Sequence, residues 1–124
     1  MDIKEFLAHE SNYSKGRHET IKYIVLHYTA NKGDTAWGNC NYSSSANKGK
    51  SAHYFVDENE IYRSVRDMNI AWHCGATSYK HKYCRNSNSI GIEMCSDFIN
   101  GNYVITENTV KNALDLEDSR YLQR

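Results

Sequence analysis

Tyr23-Ile24-Val25-Leu26-His27-Tyr28-Thr29-Ala30 is the stretch whose reading decides the fold. Its first four residues are apolar or β-branched with no charged break, which predicts a buried strand. The apolar run ends at His27, where a strand should reach a rim. A neutral imidazole at the end of a rigid strand is well placed to hold a metal or move a proton. It can as well be a histidine that only caps a strand through one hydrogen bond, and the stretch alone leaves both readings open.

The chain has 124 residues, which fits one domain over 1–124 with one core. Apolar residues make up 40% and charged residues 24%, the balance of a soluble globular protein. The formal net charge is zero, so electrostatics argue for neither nucleic acid nor an anionic membrane surface as partner. Residues 1–10 are charged, and neither a signal peptide nor a membrane span is visible. The expectation is synthesis in the cytoplasm, with any action at the cell wall or outside following release. Cys40, Cys74, Cys84 and Cys95 form no CxxC pair, which disfavours a cysteine-only zinc site or a disulfide framework and favours free thiols.

Outward from the first stretch, Asp2 is a candidate cap for a short helix over Ile3–His9. Residues 11–20 read as a polar loop in which Gly16 can take a positive φ. Residues 31–50, rich in Asn, Ser, Gly and Lys, predict a surface loop with a short helix around Trp37–Ala46, of the kind that can line a cleft. Ser51–Val56 and Ile61–Val65 predict a hairpin across the turn Asp57-Glu58-Asn59-Glu60. Thr77–Asn88 is a basic, polar loop, and Ser89–Cys95 is a further strand whose Gly91 suggests close approach of another group. Asn100-Gly101 signals a tight turn. A helix starts after Thr106 with Val110, Ala113, Leu114 and Leu116 as its apolar face, and from Glu117 the stripe breaks.

Three residues stand out for chemistry. His27 ends a strand, His73 sits in the aromatic segment Ala71-Trp72-His73-Cys74-Gly75, and Glu93 interrupts an apolar strand. Strand alternation places Glu93 on the face of Gly91 and Cys95, opposite Ile90, Ile92 and Met94. A buried carboxylate there is costly unless paired or used; the plainer reading has Glu93 facing water on a half-exposed strand. A glutamate beside a metal-bound water is an arrangement for hydrolysis. His53 reads as a cleft residue or a histidine at the core rim, and Trp72 as packing or ligand stacking.

Four segments together carry a family resemblance: Tyr23–Ala30, Ser51–Val56, Ala71–Gly75 and Asn88–Glu93, in this order and spacing. They resemble the type 2, zinc-dependent N-acetylmuramoyl-L-alanine amidases, which include phage endolysins and are similar to peptidoglycan recognition proteins. The resemblance covers roughly residues 20 to 116 and looks closest to endolysins and autolysins of Gram-positive cells and their prophages. It implies an α/β fold, a central mixed β-sheet flanked by helices, with a zinc site in a surface cleft. It implies that His27 is a zinc ligand and Glu93 the catalytic carboxylate. Ala71, Trp72 and His73 match a cleft-lining segment, with His53 a further substrate-side candidate. The implied reaction is hydrolysis of the amide between N-acetylmuramic acid and L-alanine of the peptidoglycan stem peptide.

The sequence also departs from the family. A later segment that would supply a second zinc histidine and a third Asp or Cys ligand does not follow Leu116; residues 117–124 diverge. The expectation is a C-terminally shortened domain with an incomplete zinc site, since a catalytic zinc takes three protein ligands plus water. His53, His73 and Cys95 are the residues within the chain that could substitute. A homodimer or a complementing fragment is the other source of ligands, and a catalytically impaired peptidoglycan-binding module or prophage remnant is the alternative function.

Overall fold

The computed structural model describes residues 2–75 and 81–122. In chain order the elements are β1 (Ile3–Glu5), β2 (Tyr13–Ser14), β3 (Tyr23–Tyr28), α1 (Ala36–Ser43), β4 (Tyr54–Val56), β5 (Ile61–Arg63), β6 (Ile70–Ala71), β7 (Ser89–Met94), β8 (Asp97–Ile99), β9 (Asn102–Val104) and α2 (Glu107–Leu122). Five strands form one sheet in the order β1-β5-β4-β7-β3. β3 and β4 both run parallel to β7, β1 runs parallel to β5, and β4–β5 is the antiparallel hairpin read from the sequence. The expected mixed sheet flanked by helices is therefore what the chain forms.

Alternation along the strands sorts side chains to two faces. Tyr54 and Val56 of β4 and Ile90 and Ile92 of β7 meet Ala113 and Leu116 of α2 in the larger core. Phe55, on the opposite face of β4, packs with Ala36 and Cys40 of α1 and with Cys95. The Asn100-Gly101 turn joins β8 to β9 with both residues at positive φ, 51° and 80°, the geometry a two-residue hairpin loop requires.

Four expectations are corrected. Residues 3–5 form a strand, not the start of a helix over Ile3–His9. Ile3 packs against the larger core, while Lys4 and Glu5 turn outward to Glu60 and to Arg63 and Arg66. What makes this a strand is its parallel pairing with β5, Ile3 beside Ile61 and Glu5 beside Arg63, a partner some sixty positions away that local pattern does not show. The opening strand is not fully buried. β3 lies at the sheet edge, with Leu26 37% and Tyr28 50% exposed.

The remaining two corrections concern α2. Thr106 caps it as expected, its Oγ1 accepting from the Thr109 N–H at 3.3 Å. Its buried stripe, however, is Thr109, Asn112, Ala113 and Leu116, whereas Val110 and Leu114 face outward. Nor does the helix lose its packed face after residue 116. It runs through Leu122, and Arg120 continues the stripe by donating to the Tyr54 hydroxyl at 3.1 Å and the Asp67 carboxylate at 3.2 Å. A long cation lays its stem along the core and bonds at the rim through Nη1, while its buried Nε has no partner among the described residues. Of the basic loop read over Thr77–Asn88, residues 77–80 lie outside the described residues, as does Ala76; Asn86–Asn88 is a 3-10 turn leading into β7.

Candidate active site

The site is built on the face of β7 that points away from α2. In the parallel register of β3 and β7, His27 stands opposite Glu93, and on the other side β4 sets Phe55 against the same glutamate. Glu93 is thus flanked across the sheet by an imidazole and an aromatic ring. The surface above is a cleft of about 910 Å³ lined by Glu93, Trp72 and His73 together with Asn31, Asp34, Asn39, Tyr42 and Lys50. The polar 31–50 segment therefore does line a cleft. A shallower groove of about 390 Å³ runs along the outer side of α2, over Val110 and Leu114, and gathers no comparable set of groups.

Burial pushes the Glu93 carboxyl up to about 7; Asp34 adds to the rise and Lys50 opposes it. Its Oε1 is buried and has no hydrogen-bond partner among the described residues. An unsatisfied buried carboxylate oxygen is costly. The residue as a whole is only partly buried and lines the cleft wall, so a water or substrate group can meet the carboxyl from the cleft side. A carboxyl that changes protonation state near neutrality is suited to general base and acid work.

His73 is held from several sides. The side-chain carbonyl of Asn86 accepts from the backbone N–H of His73 at 3.0 Å and of Cys74 at 2.7 Å. The ring lies against Gly91, where a Cβ would come within 2.6 Å of the His73 Cγ. The close approach that Gly91 suggested is therefore made by an imidazole. His73 Nδ1 is 2.9 Å from His27 Nε2, and His73 Nε2 is 2.9 Å from the Ser89 hydroxyl. Burial holds the His73 imidazolium down to about 3, with the nearby charges of His27, His53 and Arg17 acting the same way. His73 is accordingly neutral at physiological pH.

The other residues singled out from sequence divide between cleft and core. Trp72 lines the cleft, with its indole N–H donating to the Ser14 hydroxyl at 3.0 Å. Ala71 does not: it is fully buried beside Ala8 and Val65. Nor does His53, which is fully buried beneath β7. Its Nδ1 accepts from the Gly91 N–H at 3.0 Å, so its Nε2 carries the proton and donates to the Asn69 carbonyl at 2.9 Å. Burial lowers its pKa to about 4. As a substrate contact His53 is corrected: it is a core histidine that supports the strand under the site. Cys95 is buried under α1 near the Asn39 amide, and burial raises its thiol.

Four site residues escaped the sequence reading. Asp34 is pinned by the Ser96 N–H and the Asn39 amide and is the acid nearest in effect to Glu93. Lys50, Asn86 and Ser89 likewise lie in segments that read as ordinary loop or strand start. Only the folded chain shows that they converge.

A zinc ion implied by family resemblance can be tested against these donors. Among the described residues no group of three His, Cys, Asp or Glu side chains is arranged to hold a metal ion. His53 has both ring nitrogens engaged, and Cys95 lies in the α1 core. Of the substitutes considered, only His73 meets His27. A three-ligand catalytic set is not assembled from these residues.

Comparison with known proteins agrees with the fold. The profile of the N-acetylmuramoyl-L-alanine amidase family matches residues 17–120. A probable N-acetylmuramoyl-L-alanine amidase of Bacillus licheniformis is 32% identical over 106 residues, covering 77% of this chain and 28% of that protein. The amidase CwlL of the same organism is 33% identical over 107 residues, with 77% and 28% covered. The chain thus spans little more than a quarter of these relatives. Among solved structures, the catalytic domain of XlyA superposes with a TM-score of 0.77 at 25% identity, covering 99% of this chain and 77% of that one. PlyL superposes at 0.75 with 26% identity, covering 99% and 74%.

Proposed function

We propose that this chain, which belongs to the N-acetylmuramoyl-L-alanine amidase family, carries the cleft of a peptidoglycan hydrolase. The bond cleaved is the amide between the lactyl group of N-acetylmuramic acid and L-alanine of the stem peptide. The observation that carries this reading is Glu93: a buried carboxyl with an unpartnered oxygen, opposite His27, in the wall of a cleft large enough for a muramyl-peptide segment.

In this reading Glu93 takes a proton from a water as the water's oxygen adds to the amide carbonyl. It returns that proton to the departing amine nitrogen as the C–N bond breaks. Lys50, the cation facing Glu93, keeps the carboxylate form accessible near neutral pH. Trp72, on the cleft wall, offers an aromatic face to a sugar ring or peptide methyl.

Zinc is part of the proposal rather than of the geometry. The family resemblance makes it the expected cofactor and His27 its ligand. The described donors do not complete the set, and the steps above use only this chain's own residues. Further ligands from a second copy or a complementing fragment belong to the same proposal. They would approach the edge strand β3, which carries His27. The proposed site of action is the bacterial cell wall, reached after release from the cytoplasm.

The test is clearance of isolated Gram-positive cell walls, followed by turbidity and by release of amino-terminal L-alanine. The chain should clear walls with zinc added, and Glu93→Gln should lower the rate by about 100-fold or more, the scale of a lost general base. Equal rates would remove Glu93 from the chemistry. The incomplete donor set favours one second reading, a wall-binding module without activity. Co-sedimentation with walls in the absence of any release would establish it.

A further inference from the structure

Two of the four cysteines lie against the segment that carries His73, and no step of the proposed chemistry uses them. We propose that Cys74 and Cys84 are a redox-sensitive pair: a small-molecule disulfide oxidises them to an intramolecular disulfide that ties the His73 segment to the turn leading into β7. The pair is independent of the amidase reading and stands whether or not the chain hydrolyses peptidoglycan.

The fold brings the two cysteines together and holds each by its backbone. The Cys74 N–H donates to the Asn86 side-chain carbonyl at 2.7 Å. The Cys84 N–H donates to His81 Nδ1 at 3.1 Å, and the Cys84 carbonyl accepts from Arg85 Nη1 at 2.7 Å. Ser89 stands between them. Its hydroxyl is 3.8 Å from the Cys74 sulfur and donates at 2.7 Å to the carbonyl of Arg85, the residue after Cys84. The Cys84 thiol is in turn a direct side-chain neighbour of the Cys74 thiol, within reach of a hydrogen bond. Both backbones are anchored to the same short stretch, 85–89, so the thiols meet without rearrangement of the chain, which is the geometric condition for a bridge.

Access separates this pair from the other two cysteines. Cys74 is half-buried and precedes the exposed, cleft-lining Gly75, whereas Cys40 and Cys95 are 0% and 5% exposed, packed with Phe55 under α1. An oxidant entering the cleft therefore reaches Cys74 first. The Cys74 thiolate attacks one sulfur of the small disulfide and releases the first small thiol. The Cys84 thiolate then attacks the Cys74 sulfur and releases the second. The two protein thiols are oxidised, the small disulfide is reduced to two thiols, and the two cysteine protons pass to the leaving thiolates. Burial pushes the Cys74 thiol up to about 11, so thiolate is scarce at neutral pH and closure is slow. The same burial disfavours the thiolate that reopening would release, so the closed bridge resists reduction. A reducing compartment keeps the pair as thiols and an oxidising one closes it. The closed bridge fixes Trp72 and His73, which precede Cys74 in the cleft wall, to the start of β7.

The experiment incubates the folded chain with oxidised glutathione, alkylates the remaining thiols in denaturant and maps tryptic peptides by mass spectrometry without reduction. Trypsin places each cysteine on its own peptide: Cys40 in 33–48, Cys74 in 67–80, Cys84 in 83–85 and Cys95 in 86–111. The expected product joins 67–80 to 83–85, with Cys40 and Cys95 alkylated. Cys84→Ser should instead accumulate a glutathione adduct on Cys74, because no internal thiol displaces it. The wild type should be half oxidised at a level of oxidised glutathione at least about tenfold lower than the level that half-modifies Cys74 in Cys84→Ser. Separate adducts on Cys74 and Cys84, two unmodified thiols after prolonged exposure, or a link from either one to Cys40 or Cys95 would overturn the assignment. The wild-type peptide map decides even if the variant does not fold, and none of the readouts depends on wall hydrolysis.

Discussion

Replacing Glu93 by Gln should stabilise the fold at alkaline pH and change it little near pH 5. In the folded chain the Glu93 carboxyl titrates at about 7 because it is buried beside Phe55, against 4.5 when unperturbed. The folded state therefore holds this proton more tightly than the unfolded state does. Between those two values the folded chain carries more bound protons, and stability falls as pH rises. Above pH 7 the loss is complete. A difference of about 2.5 pH units corresponds to about 3 kcal/mol, and the part of the side chain that reaches the cleft reduces this to about 2 kcal/mol. Glutamine has nearly the same shape and no charge to desolvate. Urea unfolding at intervals from about pH 5 to 8.5, with EDTA present to exclude metal, gives both curves. Histidine titrations enter both and cancel in the difference. The variant should gain about 2 kcal/mol over wild type between the two ends of the range. A gap that stays constant with pH would show that Glu93 is not a desolvated acid.

Three other outcomes follow from neighbouring geometry. His53 and His73 titrate at about 4 and about 3 in the fold, below the ordinary 6.5. The unfolded chain thus takes up these protons first, and stability should fall as pH drops from about 6.5 towards 4. His53→Gln should flatten that fall in acid denaturation, and an unchanged slope would count against a buried neutral His53. Gly91→Ala places a Cβ 2.6 Å from the His73 ring. It should cost about 1–3 kcal/mol and abolish the ring-to-ring NOE between His27 and His73; a retained NOE would mean the ring has room. Arg120→Ala removes the cation that bonds Tyr54 and Asp67 from the last turns of α2. It should destabilise by about 1–3 kcal/mol in a thermal melt, and no loss would mean those turns are not docked.

Features governed by nearest neighbours along the chain are legible in the sequence. The alternation of Ile90, Ile92 and Met94 against Gly91 and Glu93 by itself separates a core face from a site face. Gly91 announces a close approach, and Asn100-Gly101 a hairpin turn. What cannot be read there is set by contacts between distant segments. β1 pairs with β5 across some sixty residues, and that pairing overrides the helix that Asp2 and the apolar spacing suggest. The edge position of β3 is a property of sheet order, not of its own residues. His53 and His73 look alike in sequence, each next to an aromatic residue. One is sealed under Gly91 and the other lies over it, because His53 precedes a strand of the sheet while His73 comes from the loop that crosses above.

The two faces of β7 are not independent. The register that sets His27 opposite Glu93 is fixed by the need of Ile90 and Ile92 to meet Ala113 and Leu116 of α2. A one-residue slip of β7 would turn Glu93 into that core and Ile92 into the cleft. The cost of burying an unpaired carboxylate among Tyr54, Val56 and Leu116 excludes the slip. Packing on the α2 side therefore determines which side chains face each other on the cleft side. It also explains why the site can carry a costly element, a carboxyl with an unsatisfied oxygen, on a strand this short. The energy that holds Glu93 in place comes from the apolar residues on either side of it in sequence, whose burial under α2 leaves it no other face to occupy.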